Sequence, residues 1–269
     1  MFADLGDVKL HYTVQGAGRP VLLVHGMGAD AQVWEEMVPY LAAHFRVFAV
    51  DLRGFGRTVR PPAPRLSYDL WVDDLRRFLQ ALALGPVAFV GWSLGGAVGL
   101  SFVLRHPGAV AQLVLIGAPS PLRPPSDRSG FDERLRLAGA GAPIEEIVEK
   151  TFAFTEAAYS PHTRATNPAA VDKMRATLGR NDPRAYAEMV EANRAKPDIS
   201  GRLGEIAAPT LVIVGDADGR TPLAMSEDLN AAIADSYLKI VPRCGHYYPY
   251  EQPELTSRVV VGFLRRCGR

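Results

Sequence analysis

The chain is expected to be an α/β protein: a mostly parallel central sheet flanked by helices, with a helical segment inserted between two stretches of the core. Three observations predict this. Short β-branched runs alternate with amphipathic stretches through the first half. Several runs are almost wholly apolar and four to five residues long, as strands covered on both faces must be. The alternation stops at Ala118 and resumes at Thr210. Together these place the chain in the α/β class.

In order, the strand candidates are Val8–Val14, Val21–Val24, Val47–Val50, Val87–Val90 and Leu113–Ile116, then Thr210–Val214 and Leu238–Val241. Val8–Val14 alternates in polarity, which suits an antiparallel edge near the start. Helical patterns cover Gln32–His44, Tyr68–Leu84 and Leu94–Arg105, and return after Pro222 and Pro253. Pro119 to Gly130 is rich in Pro, Ser and Arg and reads as a loop leaving the core. From about 131 to 196 no strand signal is present. Asn167-Pro168 and Asp182-Pro183 each set an N-cap acceptor before a proline at the first helical position. Val171, Met174 and Leu178, then Tyr186, Met189 and Val190, follow at helical spacing and give one buried stripe each. Residues 1–120 and 201–269 are therefore expected to form one core, and 121–200 a helical cap.

The chain has 269 residues, 48% hydrophobic and 22% charged, with a net charge of +1. That balance is globular and gives no reason to expect nucleic acid or a membrane surface as partner. The cap is neutral as well, with 9 Arg and 3 Lys against 5 Asp and 7 Glu between Pro121 and Ser200. Only clustering in space could give it a local patch. No signal-peptide pattern and no run of about 20 apolar residues is present, so a cytoplasmic location is expected. The two cysteines, Cys244 and Cys267, are too few for a disulfide framework, and no zinc spacing accompanies them. No metal and no cofactor is expected, and the chain is expected to be a monomer or homodimer.

Chemistry concentrates at strand ends. Gly91-Trp92-Ser93-Leu94-Gly95-Gly96 stands between a strand and a helix pattern. A G-x-S-x-G in that context is a nucleophile elbow, which lifts the Ser93 hydroxyl above the sheet. His25-Gly26-Met27-Gly28 follows the run Val21–Val24. Acyl transfer needs two fixed N–H donors for its oxyanion, and this arrangement offers those of Met27 and Leu94. His25 itself reads as a structural histidine. Arg243-Cys244-Gly245-His246 follows the last strand candidate and supplies a general base, His246. His11, His44, His106 and His162 read as packing or surface residues. An acid must orient the base, and the loop after Thr210–Val214 offers Asp216 or Asp218. Spacing alone leaves both open.

These motifs, in the order Ser, Asp, His, resemble the α/β-hydrolase superfamily over nearly the whole chain. The resemblance implies the α/β-hydrolase fold with a helical cap, and it selects Asp218, which stands three residues after Gly215 and four before Pro222. Asp51-Leu52-Arg53-Gly54-Phe55-Gly56-Arg57-Thr58 is similar to a further, structural signature of that family. His25–Gly28 with Val33-Trp34, Gly91–Gly96 and Gly215 to Pro222 resemble the pimeloyl-ACP methyl ester carboxylesterases, which implies carboxylesterase chemistry; the expected partner is a small-molecule ester substrate. Haloalkane dehalogenases and epoxide hydrolases carry an aspartate nucleophile, whereas position 93 is Ser. Meta-cleavage-product C–C hydrolases usually have Asn before the serine and Trp after the histidine; Trp92 and Tyr247 stand there instead. A lactonase, a C–C hydrolase or a ligand receptor with negligible turnover are the competing readings. Pocket candidates beside the motifs are Trp34, Trp92 and Tyr247, with Phe152, Phe154 and Tyr159 from the cap.

Overall fold

Seven of the apolar runs form strands of one eight-stranded sheet, in the order β1-β2-β4-β3-β5-β6-β7-β8. The computed structural model describes residues 1–59, 61, 64–123 and 129–266; Cys267 and part of the expected exit loop, 124–128, lie outside them. The strands are β1 (Phe2–Asp4), β2 (Lys9–Gln15), β3 (Pro20–Val24), β4 (Arg46–Val50), β5 (Val87–Trp92), β6 (Val110–Ile116), β7 (Thr210–Gly215) and β8 (Ser236–Val241). The helices are α1 (Val38–Ala42), α2 (Tyr68–Ala81), α3 (Leu94–Arg105), α4 (Ser129–Gly139), α5 (Ile144–Glu156), α6 (Pro161–Thr166), α7 (Pro168–Leu178), α8 (Pro183–Arg194), α9 (Leu223–Ala232), α10 (Tyr248–Glu251) and α11 (Pro253–Arg266).

From β4 to β8 every neighbouring pair is parallel, while β1 and β2 pair antiparallel. The expected antiparallel strand is β2, but it is not the edge. The three-residue β1, too short to show alternation, takes that place. The pattern over Gln32–His44 also resolves differently, into a 3-10 turn at Ala31–Trp34 and the short α1. Asp30 caps the turn through Gln32 N–H, and Pro39 starts α1 close behind it, so one continuous helix does not form.

Strands β5 and β7 are buried throughout, which explains their unbroken apolar runs. Because parallel strands all point the same way, the loops after β3, β5, β7 and β8 gather at one end of the sheet. These are the loops that carry the sequence motifs. Helices α4 to α8 lie between β6 and β7 in sequence. Asn167 accepts from Ala170 N–H at 3.3 Å, and Asp182 accepts from Arg184 and Ala185 N–H at 2.7 and 2.9 Å. The stripes behind those caps, Val171/Met174/Leu178 and Tyr186/Met189/Val190, are buried. Among the described residues no helix is long and apolar enough to cross a membrane.

Candidate active site

Ser93 sits between β5 and α3 with φ 52° and ψ −113°. A non-glycine residue pays for that backbone, and such strain persists only where surrounding contacts fix it. Here Ser93 N–H donates to Ile116 O at 2.9 Å, and Gly96 and Ala97 N–H donate back to Ser93 O. The flanking glycines are sterically required. A Cβ at Gly95 would meet Val24 O at 2.1 Å, and one at Gly91 would meet Gly95 O at 2.4 Å. The tight turn thus depends on β3, β5 and α3 approaching without side chains between them.

His246 Nε2 lies 3.0 Å from Ser93 Oγ, and His246 Nδ1 lies 2.9 Å from Asp218 Oδ2. Five donors converge on Asp218. Oδ2 accepts from His246, from the Thr221 hydroxyl at 2.8 Å and from the Tyr248 hydroxyl at 2.8 Å. Oδ1 accepts from Arg220 and Thr221 N–H at 2.8 and 2.9 Å. Burial alone would raise the Asp218 carboxyl. The charge and hydrogen bond of His246, the Thr221 N–H and the Tyr248 hydroxyl outweigh it and hold the group below its ordinary 3.8. Burial, and next the Asp218 charge, push the Tyr248 phenol well above its ordinary range, so it stays a donor to Asp218 while accepting Gly215 N–H.

The loop bearing His246 is clamped from several sides. Asp216, the other acid left open by spacing, accepts Arg243 and Cys244 N–H at 2.9 and 3.2 Å and so holds the backbone of the loop. Glu251 accepts Gly245 N–H at 3.0 Å and Tyr247 N–H at 3.0 Å, one residue either side of His246. It also accepts Ser160 N–H and the Thr163 hydroxyl, at 2.8 and 2.9 Å, from the helical insertion. His246 N–H itself donates to Ala158 O at 2.8 Å. Trp92 Nε1 donates to His246 O at 2.8 Å. Tyr248, Thr221 and Glu251 were not among the expected site residues. Only their nearness to His246 or Asp218 in the chain hinted at them.

Met27 and Leu94 line the same cavity as Ser93 and His246. Leu94 is the first residue of α3, where the helix provides no acceptor for its N–H. His25 is buried, and its Nδ1 lies 2.8 Å from Gly26 O while its Nε2 accepts Leu52 N–H at 3.0 Å. That pairing assigns the neutral tautomer with the proton on Nδ1. Burial, against the Gly26 bond, lowers its pKa. In the Asp51–Thr58 stretch, Asp51 accepts Ala31 and Arg57 N–H at 2.6 and 2.8 Å and pairs with His11, while Arg53 makes a two-pronged pair with Asp74. The signature therefore ties loops to the core. Cys244 is fully buried, and burial lifts its thiol well above its ordinary range.

The cavity holds about 100 Å³. Trp92, Phe154 and Tyr247 line it; Trp34, Phe152 and Tyr159 do not, which corrects three pocket expectations. Trp34, the last residue of the 3-10 turn, is fully buried in the main core. Phe152 is two residues from Phe154 on α5, hence on another face, and the Arg175 guanidinium covers its ring at 3.6 Å. Tyr159 stacks on Tyr247 at 4.3 Å and donates to Ala170 O at 2.8 Å, one layer behind the wall. Among the described residues no group of His, Cys, Asp and Glu could hold a metal ion.

Comparison with known proteins bears on the family and the fold. A 2-hydroxy-6-oxo-6-(2'-aminophenyl)hexa-2,4-dienoic acid hydrolase of Metapseudomonas resinovorans is 30% identical, over 98% of this chain and 90% of the relative. A 2-hydroxy-6-oxo-2,4-heptadienoate hydrolase of Pseudomonas putida is 32% identical, over 96% and 94%. Among solved structures, a thermophilic esterase from Thermogutta terrifontis superposes with a TM-score of 0.87 at 28% identity, over 97% of this chain and 95% of that one. The family model for the alpha/beta hydrolase fold matches residues 19–253, and the chain belongs to that family of hydrolases.

Proposed function

We propose that the protein hydrolyses small to medium carboxylic esters through an acyl-enzyme on Ser93. The observation that carries this reading is the unbroken line Asp218–His246–Ser93, ending at a cavity that Met27 and Leu94 also line. His246 takes the Ser93 proton as Oγ attacks the ester carbonyl carbon. The Met27 and Leu94 N–H groups hold the resulting oxyanion. His246 then gives its proton to the departing alkoxide, which leaves as the alcohol. Water attacks the acyl-enzyme, His246 takes its proton, and the carboxylic acid departs from Ser93. The helical insertion acts as a cap whose Phe154 closes the acyl site.

A second reading has the same residues cleave a 2-hydroxy-6-oxo-dienoic acid, and the two relatives named above favour it. Trp92 and Tyr247 favour the ester reading, because the C–C hydrolases usually carry Asn and Trp at those positions. A panel of linear esters, lactones and one such dienoate, run on wild type beside Ser93→Ala, decides between them. Ester turnover that drops on the order of 10⁶-fold in Ser93→Ala is expected. Dienoate or lactone turnover far above that of any linear ester would replace the reading.

A further inference from the structure

Tyr248 stands two residues after His246, as the first residue of α10, and its side chain is fully buried. Although it belongs to the loop of the base, both hydrogen bonds of its hydroxyl go to the loop of the acid. The oxygen accepts Gly215 N–H from the end of β7 at 2.8 Å, and the hydrogen is donated to Asp218 Oδ2 at 2.8 Å. A phenol carries one hydrogen, so accepting from Gly215 leaves that hydrogen for Asp218. The slot for the ring is built by a third strand end. Gly117, directly after β6, has a φ of 51°, and a Cβ there would meet Tyr248 Cε2 at 2.7 Å, its hydroxyl at 3.2 Å and Asp218 Oδ2 at 3.3 Å. Phenylalanine would fill that slot equally well; the two hydrogen bonds are what the hydroxyl adds.

The two oxygens of Asp218 are held differently. Oδ1 takes the N–H groups of Arg220 and Thr221, both from its own loop. Oδ2, the oxygen that faces His246 Nδ1, takes side-chain donors among the described residues: His246, Thr221 and Tyr248. The Thr221 hydroxyl reaches it from within the acid loop and lies 3.4 Å from Nδ1 as well. Tyr248 reaches it from the base loop. Its bond therefore closes a ring of contacts, from His246 to Asp218, on to Tyr248, and back along two residues of chain. A closed ring resists the swing of Oδ2 away from Nδ1 that a single hydrogen bond would permit. Asp216, Glu251 and Trp92 hold the same loop through its backbone. Tyr248 holds the acid–base contact itself.

We propose that Tyr248 is a positioning residue for proton transfer: its hydroxyl locks Asp218 Oδ2 against His246 Nδ1, so that losing it slows turnover without weakening substrate binding.

The kinetic arm of the test rests on the ester reading; the spectroscopic arm does not. In protein labelled at histidine, the Nδ1 resonance of His246 is assigned by its loss in His246→Gln. Tyr248→Phe, compared with wild type at a temperature where both are folded, should displace that resonance. It should lower kcat for a nitrophenyl ester by about tenfold to a hundredfold and leave KM within about twofold of wild type. Where Tyr248→Phe fails to fold, 3-fluorotyrosine placed at position 248 keeps the ring and both hydrogen bonds while strengthening the donor, and it should displace the same resonance. An unmoved resonance in the folded protein would make Tyr248 a packing residue and overturn the proposal. A displaced resonance with unchanged kcat would overturn it too, as would a rise in KM alone, which would assign the hydroxyl to substrate binding. A displaced resonance in a protein whose wild type turns over no ester would overturn the ester reading and keep the lock on Asp218.

Discussion

In the core, β3 to β7 are buried along nearly all their length, and charged side chains of the elements around them pair in the interior. Arg53 and Asp74 are both fully buried, and His11 and Asp51 nearly so. In the helical insertion, burial is confined to one stripe per helix. Its charged pairs, such as Arg194 with Asp132 and Arg175 with Glu149, lie at the surface. The two regions meet at the His246 loop, where Glu251 bonds the loop on either side of His246 and the start of α6 at once. The core therefore fixes reacting groups through backbone position, whereas the insertion supplies walls through side-chain direction. Substitutions should sort by that division, and each prediction below sets one region against the other.

The largest effect is expected in the core at Asp218. Asp218→Asn keeps the size of the side chain but removes the charge that stabilises protonated His246 and presents a donor toward it. We expect kcat to fall on the order of 10⁴-fold, about 5.5 kcal/mol of barrier, with the fold retained. The same variant tests a pH effect. A carboxyl held below its ordinary 3.8 contributes stability that is complete above that value and is lost as pH falls through the lower native one. Wild-type melting temperature should therefore drop on the acid side, and Asp218→Asn should flatten that limb. An unchanged acid limb would mean that the five donors do not hold the charge as described.

The same division explains what could be read from the residues alone. Ser93, Met27, Leu94, Asp218 and His246 sit in short loops directly after strands, where a motif and a preceding apolar run fix the backbone. The geometry brings all five together. The pocket candidates in the insertion depended on which way a helix faces, and a difference of two residues on α5 separates Phe154 from Phe152. Tyr159 and Trp34 failed for a related reason: an aromatic near a motif is as often the layer behind a wall as the wall itself. Glu251 and Tyr248 belong to no motif, and the partners that join them to other elements, Ser160 and Thr163 for one and Asp218 and Gly215 for the other, are distant in the chain.

The next effect, intermediate in size, lies at the junction. Glu251→Gln preserves shape but turns an amide nitrogen toward donors that need an acceptor. Hydrogen bonds to a charged group contribute roughly 1.5–3 kcal/mol each, and the substitution retains some of the four. A net loss of about 2–4 kcal/mol in denaturant unfolding is expected. At a temperature where the variant is fully folded, kcat should also drop by about tenfold, because Gly245 and Tyr247 no longer hold His246 from both sides. A stability loss with unchanged kcat would show that the insertion and the His246 loop are joined without the join positioning the base.

The smallest effect is expected on the outer face of the insertion. Arg194 and Asp132 link α8 to α4, but their side chains are 41% and 53% exposed. An exposed pair of that kind contributes about 0–1 kcal/mol and is screened by salt. Arg194→Ala should thus shift the urea midpoint by less than the equivalent of about 1 kcal/mol, and the shift should shrink as salt is raised. The buried stripe Tyr186, Met189 and Val190 on the same helix then carries the attachment. A loss well above 1 kcal/mol that persists in high salt would reverse that assignment, and the insertion would have to be described, like the core, as held by its polar pairs.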